Sequence, residues 1–310
     1  MPSRRRILSG LALSAAGLVL AQPIRLTFAA GLANGEAALQ TRTIPSTGER
    51  LPVIGMGTSG SFDAGATLAE RDPLREVLKR FFAAGATLID TAPSYGRAEG
   101  IIGKLLAEAN LRQRTFLATK ISAVGREAGL AQFQRSLELL RTDKVDLLQV
   151  HSLQDWKTQI ALIDELKAQG KTRYTGVTHW LDSGHDELAD VVRAARPDFL
   201  QINYSVISRS AESKVFPLAQ ELGVAVLVNR AFDDGRLFSR VEGKSLPEWA
   251  TEAGITSWAQ AFLRFALSHP AVTAVIPATG KPDRQSDNLK AGNGPALTEA
   301  QRQSLIEQVG

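Results

Sequence analysis

From Leu51 onward the chain repeats one unit: a short apolar run rich in β-branched residues, then a longer amphipathic stretch. The runs are Pro52–Met56, Thr87–Asp90, Thr115–Lys120, Val145–Val150, Tyr174–Thr178, Phe199–Asn203, Val224–Val228 and Ala274–Pro277. They are apolar on both faces, as parallel strands covered on both sides must be. Between them, apolar residues fall at spacings of three and four: Leu74, Val77, Leu78, Phe81 and Phe82; then Phe133, Leu137 and Leu140; then Leu162, Ile163 and Leu166. Gly85, Gly170 and Gly223 stand where such helices would stop. The runs begin about 25–35 residues apart, with a longer gap before the eighth. Eight such units with no domain-sized insert predict a closed barrel, the α/β class (β/α)8 or TIM fold.

Two additions flank this unit. Thr41–Val53, turning at Ser46-Thr-Gly-Glu49, has the pattern of a β-hairpin and is expected to plug the bottom of the barrel. The extra residues at 237–268, with Trp249, Trp258, Phe262 and Phe265, predict a loop and a long helix over the barrel, with further helices at the C-terminal end. Residues 41–310 are thus expected to form a single barrel domain.

The first 33 residues read as an export address. Ser3-Arg4-Arg5-Arg6-Ile7-Leu8 resembles a twin-arginine motif, and a mildly apolar stretch runs from Gly10 to Ala21. The expectation is cleavage between Ala21 and about Ala33, no lasting membrane insertion, and a periplasmic or otherwise exported enzyme carried by the twin-arginine machinery. The four arginines of residues 1–35, with no acid among them, account for the whole formal charge of +4, so the basic balance predicts no nucleic-acid partner. The chain has no cysteine, which excludes disulfides, thiolate metal sites and cysteine nucleophiles.

Gly55-Met-Gly57-Thr-Ser-Gly60 follows an apolar run and matches the dinucleotide-binding pattern G-x-G-x-x-G. That pattern needs a helix to open at once and an acid about 20 residues later. Ser61-Phe-Asp-Ala-Gly reads instead as loop, so the glycines are read as a tight turn beneath a ligand.

In a barrel enzyme the chemistry sits where the strands end. Those positions hold Thr58, Asp90, Lys120, His151, Thr178-His179, Gln201, Asn229-Arg230 and Pro277, with Tyr95 in the loop after Asp90. A carboxylate, an amine and an imidazole thus arrive on successive strands at one face, beside a phenol. Hydride addition to a carbonyl leaves charge on oxygen and calls for a placed proton donor. A free tyrosine, with a pKa near 10, donates sluggishly at neutral pH; a neighbouring ammonium favours its phenolate. A neutral imidazole can hydrogen-bond the carbonyl oxygen.

Asp90-Thr-Ala with Tyr95-Gly96, Glu99 and Gly103, Ala118-Thr-Lys120 and Gln149-Val-His151 together resemble the aldo/keto reductase family, and the resemblance runs from Thr43 to the end. It implies Tyr95 as general acid, Lys120 and Asp90 as tuners of its acidity, and His151 as orienter of the substrate carbonyl. It also implies NADPH (NADP) as cofactor, with Gly57 and Thr58 beneath it, Thr178, His179 and Gln201 at its carboxamide, and Thr279, Lys281, Arg284, Asp287 and Asn288 at its adenosine 2′-phosphate and adenine. Arg284 suits a phosphate fork. The family's seventh strand ends in a run whose aromatic stacks on the nicotinamide. Here Asn229-Arg230 stand in its place, and Arg230 is expected near the phosphates.

The resemblance implies reduction of a small aldehyde or ketone by a monomer, with an exported nucleotide-binding or sensor protein of little turnover as the alternative. A metal-dependent hydrolase using Asp90, His151 and His179 lacks the clustered ligands such a site requires, so no metal is expected. Substrate specificity is expected from loops 59–71, 121–126 and 232–248, and Phe62, Trp156, Trp180 and Phe232 are the aromatics available to wall a pocket.

Overall fold

The computed structural model describes residues 39–63 and 67–310; the export address of residues 1–33 lies outside them. The chain opens with an antiparallel hairpin, β1 (Thr41–Thr43) and β2 (Arg50–Pro52). Barrel strands and helices then alternate: β3 (Met56–Gly57), α1 (Leu68–Ala83), β4 (Leu88–Asp90), α2 (Ala98–Glu108), β5 (Phe116–Ile121), α3 (Arg126–Leu140), β6 (Val145–Val150) and α4 (Trp156–Ala168). There follow β7 (Thr172–Thr178), α5 (His185–Ala195), β8 (Phe199–Asn203), α6 (Val215–Leu222) and β9 (Ala225–Asn229). Three short helices come next, α7 (Arg236–Arg240), α8 (Trp249–Glu252) and α9 (Trp258–Leu267), before β10 (Val272–Val275), α10 (Pro282–Lys290) and α11 (Glu299–Val309). Eight strands pair in parallel in chain order from β3 to β10, and bridges Ile54↔Val275 and Gly57↔Ala278 join the two ends into a ring.

The inward face of the ring and the hairpin share one apolar cluster. Ile44 and Leu51 of the hairpin pack with Leu88, Phe116, Leu147, Tyr174, Phe199 and Leu227, so the hairpin closes the N-terminal end as the sequence predicts. Glu49 of its turn accepts from the Tyr174 hydroxyl at 2.6 Å, and Thr47 meets the same hydroxyl at 2.8 Å. A larger cluster fills the layer between strands and helices.

Three expectations need correction. The first apolar run is divided: Pro52 pairs within the hairpin, Ile54 bridges Val275, and Met56–Gly57 forms the strand that enters the barrel sheet. Of the loop and long helix anticipated at 237–268, the helix is shorter than expected: α9 covers Trp258–Leu267, and the short helices α7 and α8 precede it, with Gly254 turning at φ +68 between α8 and α9. Phe62 and Trp156 are spent elsewhere, Phe62 fully buried in the strand–helix core and Trp156 packed against that core. The glycine-rich segment turns after Gly57, and α1 opens only at Leu68. A Cβ on Gly57 would stand 2.8 Å from the Ile276 carbonyl oxygen, so this glycine allows close approach of β3 to the chain after β10.

Candidate active site

The C-terminal ends of the strands surround a cavity of about 690 Å³. Four side chains predicted from sequence meet at its floor. Asp90, the last residue of β4, and Lys120 of β5 are buried, and Nζ lies 2.6 Å from Asp90 Oδ2. The ammonium also donates to the Thr91 carbonyl oxygen at 2.9 Å and stands 4.9 Å from the centre of the Tyr95 ring. Burial disfavours its charge, but Asp90 and Tyr95 outweigh burial and hold the lysine above its ordinary pKa. The ammonium is therefore a fixed cation against the phenol.

His151 follows β6 and meets the Tyr95 ring edge-on, with centroids 6.0 Å apart. Burial, assisted by the Lys120 charge and opposed by Asp90, pushes its pKa down to about 4. The imidazole is neutral at pH 7. Its Nδ1 lies 3.4 Å from Ser94 Oγ. Tyr95, His151, Asp90 and Ser94 line the cavity, while Lys120 lies behind them.

Beneath the floor, Gln149 and Gln201 turn their amide N–H groups to Asp90 Oδ1, at 3.1 and 2.8 Å. Asp90 is thus held by an ammonium on one oxygen and two amides on the other. Gln149 lies two residues before His151, near the end of β6, a spacing at which side chains point the same way while the chain stays extended. Sequence reasoning passed over it, although that period of two was enough to find it. The Asp63–Arg97 contact steadies the loop that carries Tyr95: Asp63 Oδ1 accepts from the Arg97 backbone N–H and from its Nε, both at 3.1 Å.

A second cavity of about 460 Å³ adjoins the first, sharing Phe232, Phe238, Ala278 and Arg284. Thr279, Asp287 and Asn288 line it, together with Trp258 and with Ser257, which the sequence did not single out. Arg284 is exposed and makes no hydrogen bond or ion pair among the described residues, which suits an anionic group bound there. Together the two cavities offer an elongated site with a hydrogen-bonding floor in the first and an unengaged guanidinium where the two meet, which fits a dinucleotide phosphate.

The predicted cofactor residues divide between the cavity wall and other engagements. Thr58 is oriented by its hydroxyl donating to the Asp90 carbonyl oxygen at 3.1 Å, and Gly57, Thr178 and Gln201 line the first cavity with it. His179 does not line that cavity: its Nδ1 accepts from the Leu181 N–H at 3.2 Å, and its ring rests where a side chain on Gly184 would be. Arg230 lines the cavity, but its Nε donates to Asp234 at 2.9 Å and another guanidinium nitrogen to the Trp180 carbonyl oxygen at 2.8 Å. It is a wall that holds Trp180, with no free fork for a phosphate. Asp287 faces the second cavity with one carboxylate oxygen accepting from Ser257 Oγ at 2.6 Å and the other from Gln260. Lys281 lines neither cavity. Of the expected specificity loops, 232–248 contributes Phe232, Asp234, Gly235 and Phe238, 59–71 contributes Ser59, and 121–126 contributes nothing to either cavity.

A phenol standing 4.9 Å from a buried ammonium, at the mouth of a (β/α)8 barrel, sets acid–base groups against the cavity where such barrels carry their active sites. The chain belongs to the aldo/keto reductase family, whose model matches residues 53–308. It is 29% identical over 237 residues to the aldo-keto reductase YhdN of Bacillus subtilis, covering 69% of this chain and 67% of that protein. It is 28% identical over 248 residues to the methylglyoxal reductase YeaE of Escherichia coli, covering 77% of this chain and 86% of that protein. A crystal structure of an aldo-keto reductase from Klebsiella pneumoniae in complex with NADPH superposes with a TM-score of 0.73 at 25% identity, covering 87% of this chain and 95% of that one.

Proposed function

We propose that the protein reduces an aldehyde or ketone to the alcohol with NADPH, with Tyr95 as the proton donor. The observation that carries the reading is the Lys120 ammonium, gripped by Asp90 at 2.6 Å and standing 4.9 Å from the Tyr95 ring. Bound NADPH supplies the hydride. His151, neutral at pH 7, donates a hydrogen bond to the substrate carbonyl and turns its oxygen toward the phenol. Tyr95 gives its proton to that oxygen as negative charge develops on it. Lys120 stabilises the phenolate left behind, and Asp90 keeps the ammonium in place. Gly57, Thr58, Thr178 and Gln201 bed the nicotinamide end, and Thr279, Arg284 and Asn288 the adenosine 2′-phosphate end. The cofactor-bound relative and the unengaged guanidinium of Arg284 support NADPH here.

The test is NADPH oxidation by the purified protein against a panel of carbonyls headed by methylglyoxal, on which a relative is named to act. Tyr95→Phe is expected to lower kcat by about 10²–10⁴-fold, the usual worth of a placed general acid, with the Kd for NADPH unchanged. Undiminished kcat in Tyr95→Phe would remove Tyr95 from this role.

We also propose export through the twin-arginine route, supported by Arg4-Arg5-Arg6 ahead of the apolar stretch. Replacing the three arginines by lysine is expected to keep the protein in the cytoplasm of fractionated cells. Equal export of that variant would refute the route.

A further inference from the structure

From Asp90 a chain of side-chain amides runs along the cavity wall, and the direction of each is dictated by the next. A carboxylate accepts and cannot donate, so Gln201 must turn its N–H to Asp90 Oδ1, at 2.8 Å. Its Oε1 then faces the other way and accepts from Asn229 Nδ2 at 3.3 Å. The same Asn229 nitrogen donates to the main-chain oxygen of His179 at 3.2 Å, a second group that only accepts. Both constraints agree. The Asn229 amide cannot flip, and its Oδ1 is left buried with no donor in the protein. An unmet buried acceptor costs about 1–3 kcal/mol, and among the buried unpartnered side-chain atoms of the described residues this one belongs to a residue of the first cavity's wall. Asn229 is part of the wall of the 690 Å³ cavity, on the side of Gln201 and Thr178.

We propose that Asn229 is a cofactor-recognition residue whose Oδ1 accepts a hydrogen bond from the carboxamide N–H of the nicotinamide. The inference rests on the reading of the protein as an NADPH enzyme. The nicotinamide end must lie in this cavity, because the hydride has to reach a carbonyl beside Tyr95 and His151. The carboxamide is the neutral N–H donor of that end. The ring is thus gripped by its edge, and the grip is joined through Gln201 to the carboxylate that holds Lys120. Asn229 binds and orients; it transfers no proton.

The probe is oxidised NADP compared with its 3-acetylpyridine analogue, in which a methyl ketone replaces the carboxamide and no N–H remains. Binding to the full chain is measured by calorimetry, so no turnover is needed. The unaltered protein is expected to bind the analogue about tenfold more weakly, the scale of one hydrogen bond to an otherwise unmet acceptor. In Asn229→Leu the discrimination is expected to fall to about twofold, and Asn229→Ala, which leaves space rather than filling it, should match. Discrimination that stays tenfold in both variants overturns the proposal. So does equal binding of the two dinucleotides by the unaltered protein, the result expected if Oδ1 holds an ordered water only. Failure to bind either dinucleotide, with carbonyl reduction also absent, would instead sink the NADPH reading itself.

Discussion

The Lys120–Asp90 pair gives the sharpest handle on the site. Both side chains are buried, at 0% and 3% exposure, with Nζ 2.6 Å from Oδ2. At an effective dielectric of about 20, charges 2.6 Å apart attract by roughly 6 kcal/mol, much of which is offset by desolvation of the two ions. Lys120→Met removes the attraction and leaves the buried carboxylate without its cation, a change that typically costs about 3–5 kcal/mol. The loss should sit near the lower end, about 3 kcal/mol, because Gln149 and Gln201 still donate to Oδ1. In Tm that corresponds to roughly 6–12 °C for a domain of this size. Urea unfolding of the single variant and of Asp90→Asn/Lys120→Met measures it. The double variant has no stranded charge and is expected to recover at least half of the lost stability. A single variant that loses less than about 1 kcal/mol, or a double variant no better than the single, would refute the account of a buried charge held chiefly by its partner.

Other consequences are measurable. The His151 ring should titrate near pH 4 by NMR, and a midpoint near its ordinary value would contradict its burial beside Lys120. Because the folded pKa is the lower one, the stability of the neutral buried ring is complete above about pH 6.5 and is lost as pH falls toward about 4. Arg284→Ala should weaken NADPH binding at least tenfold more than NADH binding, as loss of a charged phosphate contact would; equal weakening in calorimetry would undo the 2′-phosphate assignment. Arg264 of α9 is buried, with Nε donating to the Ala291 carbonyl oxygen and a second nitrogen to that of Pro295, both at 2.8 Å, and a third nitrogen reaching Asn293. Arg264→Leu should cost about 3 kcal/mol by stranding these carbonyls; an unchanged Tm would show that water satisfies them instead.

The barrel was legible because parallel strands covered on both faces must be apolar throughout, and few other arrangements take eight such runs in succession. Asp90, Lys120 and His151 were legible for a related reason: a strand end delivers its side chain to a known face. Tyr95 was legible from its loop and from the resemblance. In the covering segment 237–268 the loop and helix were legible but not their extents, because the short turns α7 and α8 are set by Pro247 and by Gly254, which takes a positive φ. Phe62 and Trp156 looked available for a pocket and were claimed by the core.

Residue identity and period determined the fold class and the acid–base types gathered at one end of the barrel. Which polar groups still have a free donor or acceptor was decided only by tertiary structure. Arg230 is engaged by Asp234 and Trp180, Asp287 by Ser257 and Gln260, and His179 by Leu181, whereas Arg284 and one oxygen of Asn229 are left open. Hydrogen-bonding capacity belongs to a pair of groups, and most partners here come from distant parts of the chain, so no single stretch of sequence records whether a side chain remains free to bind.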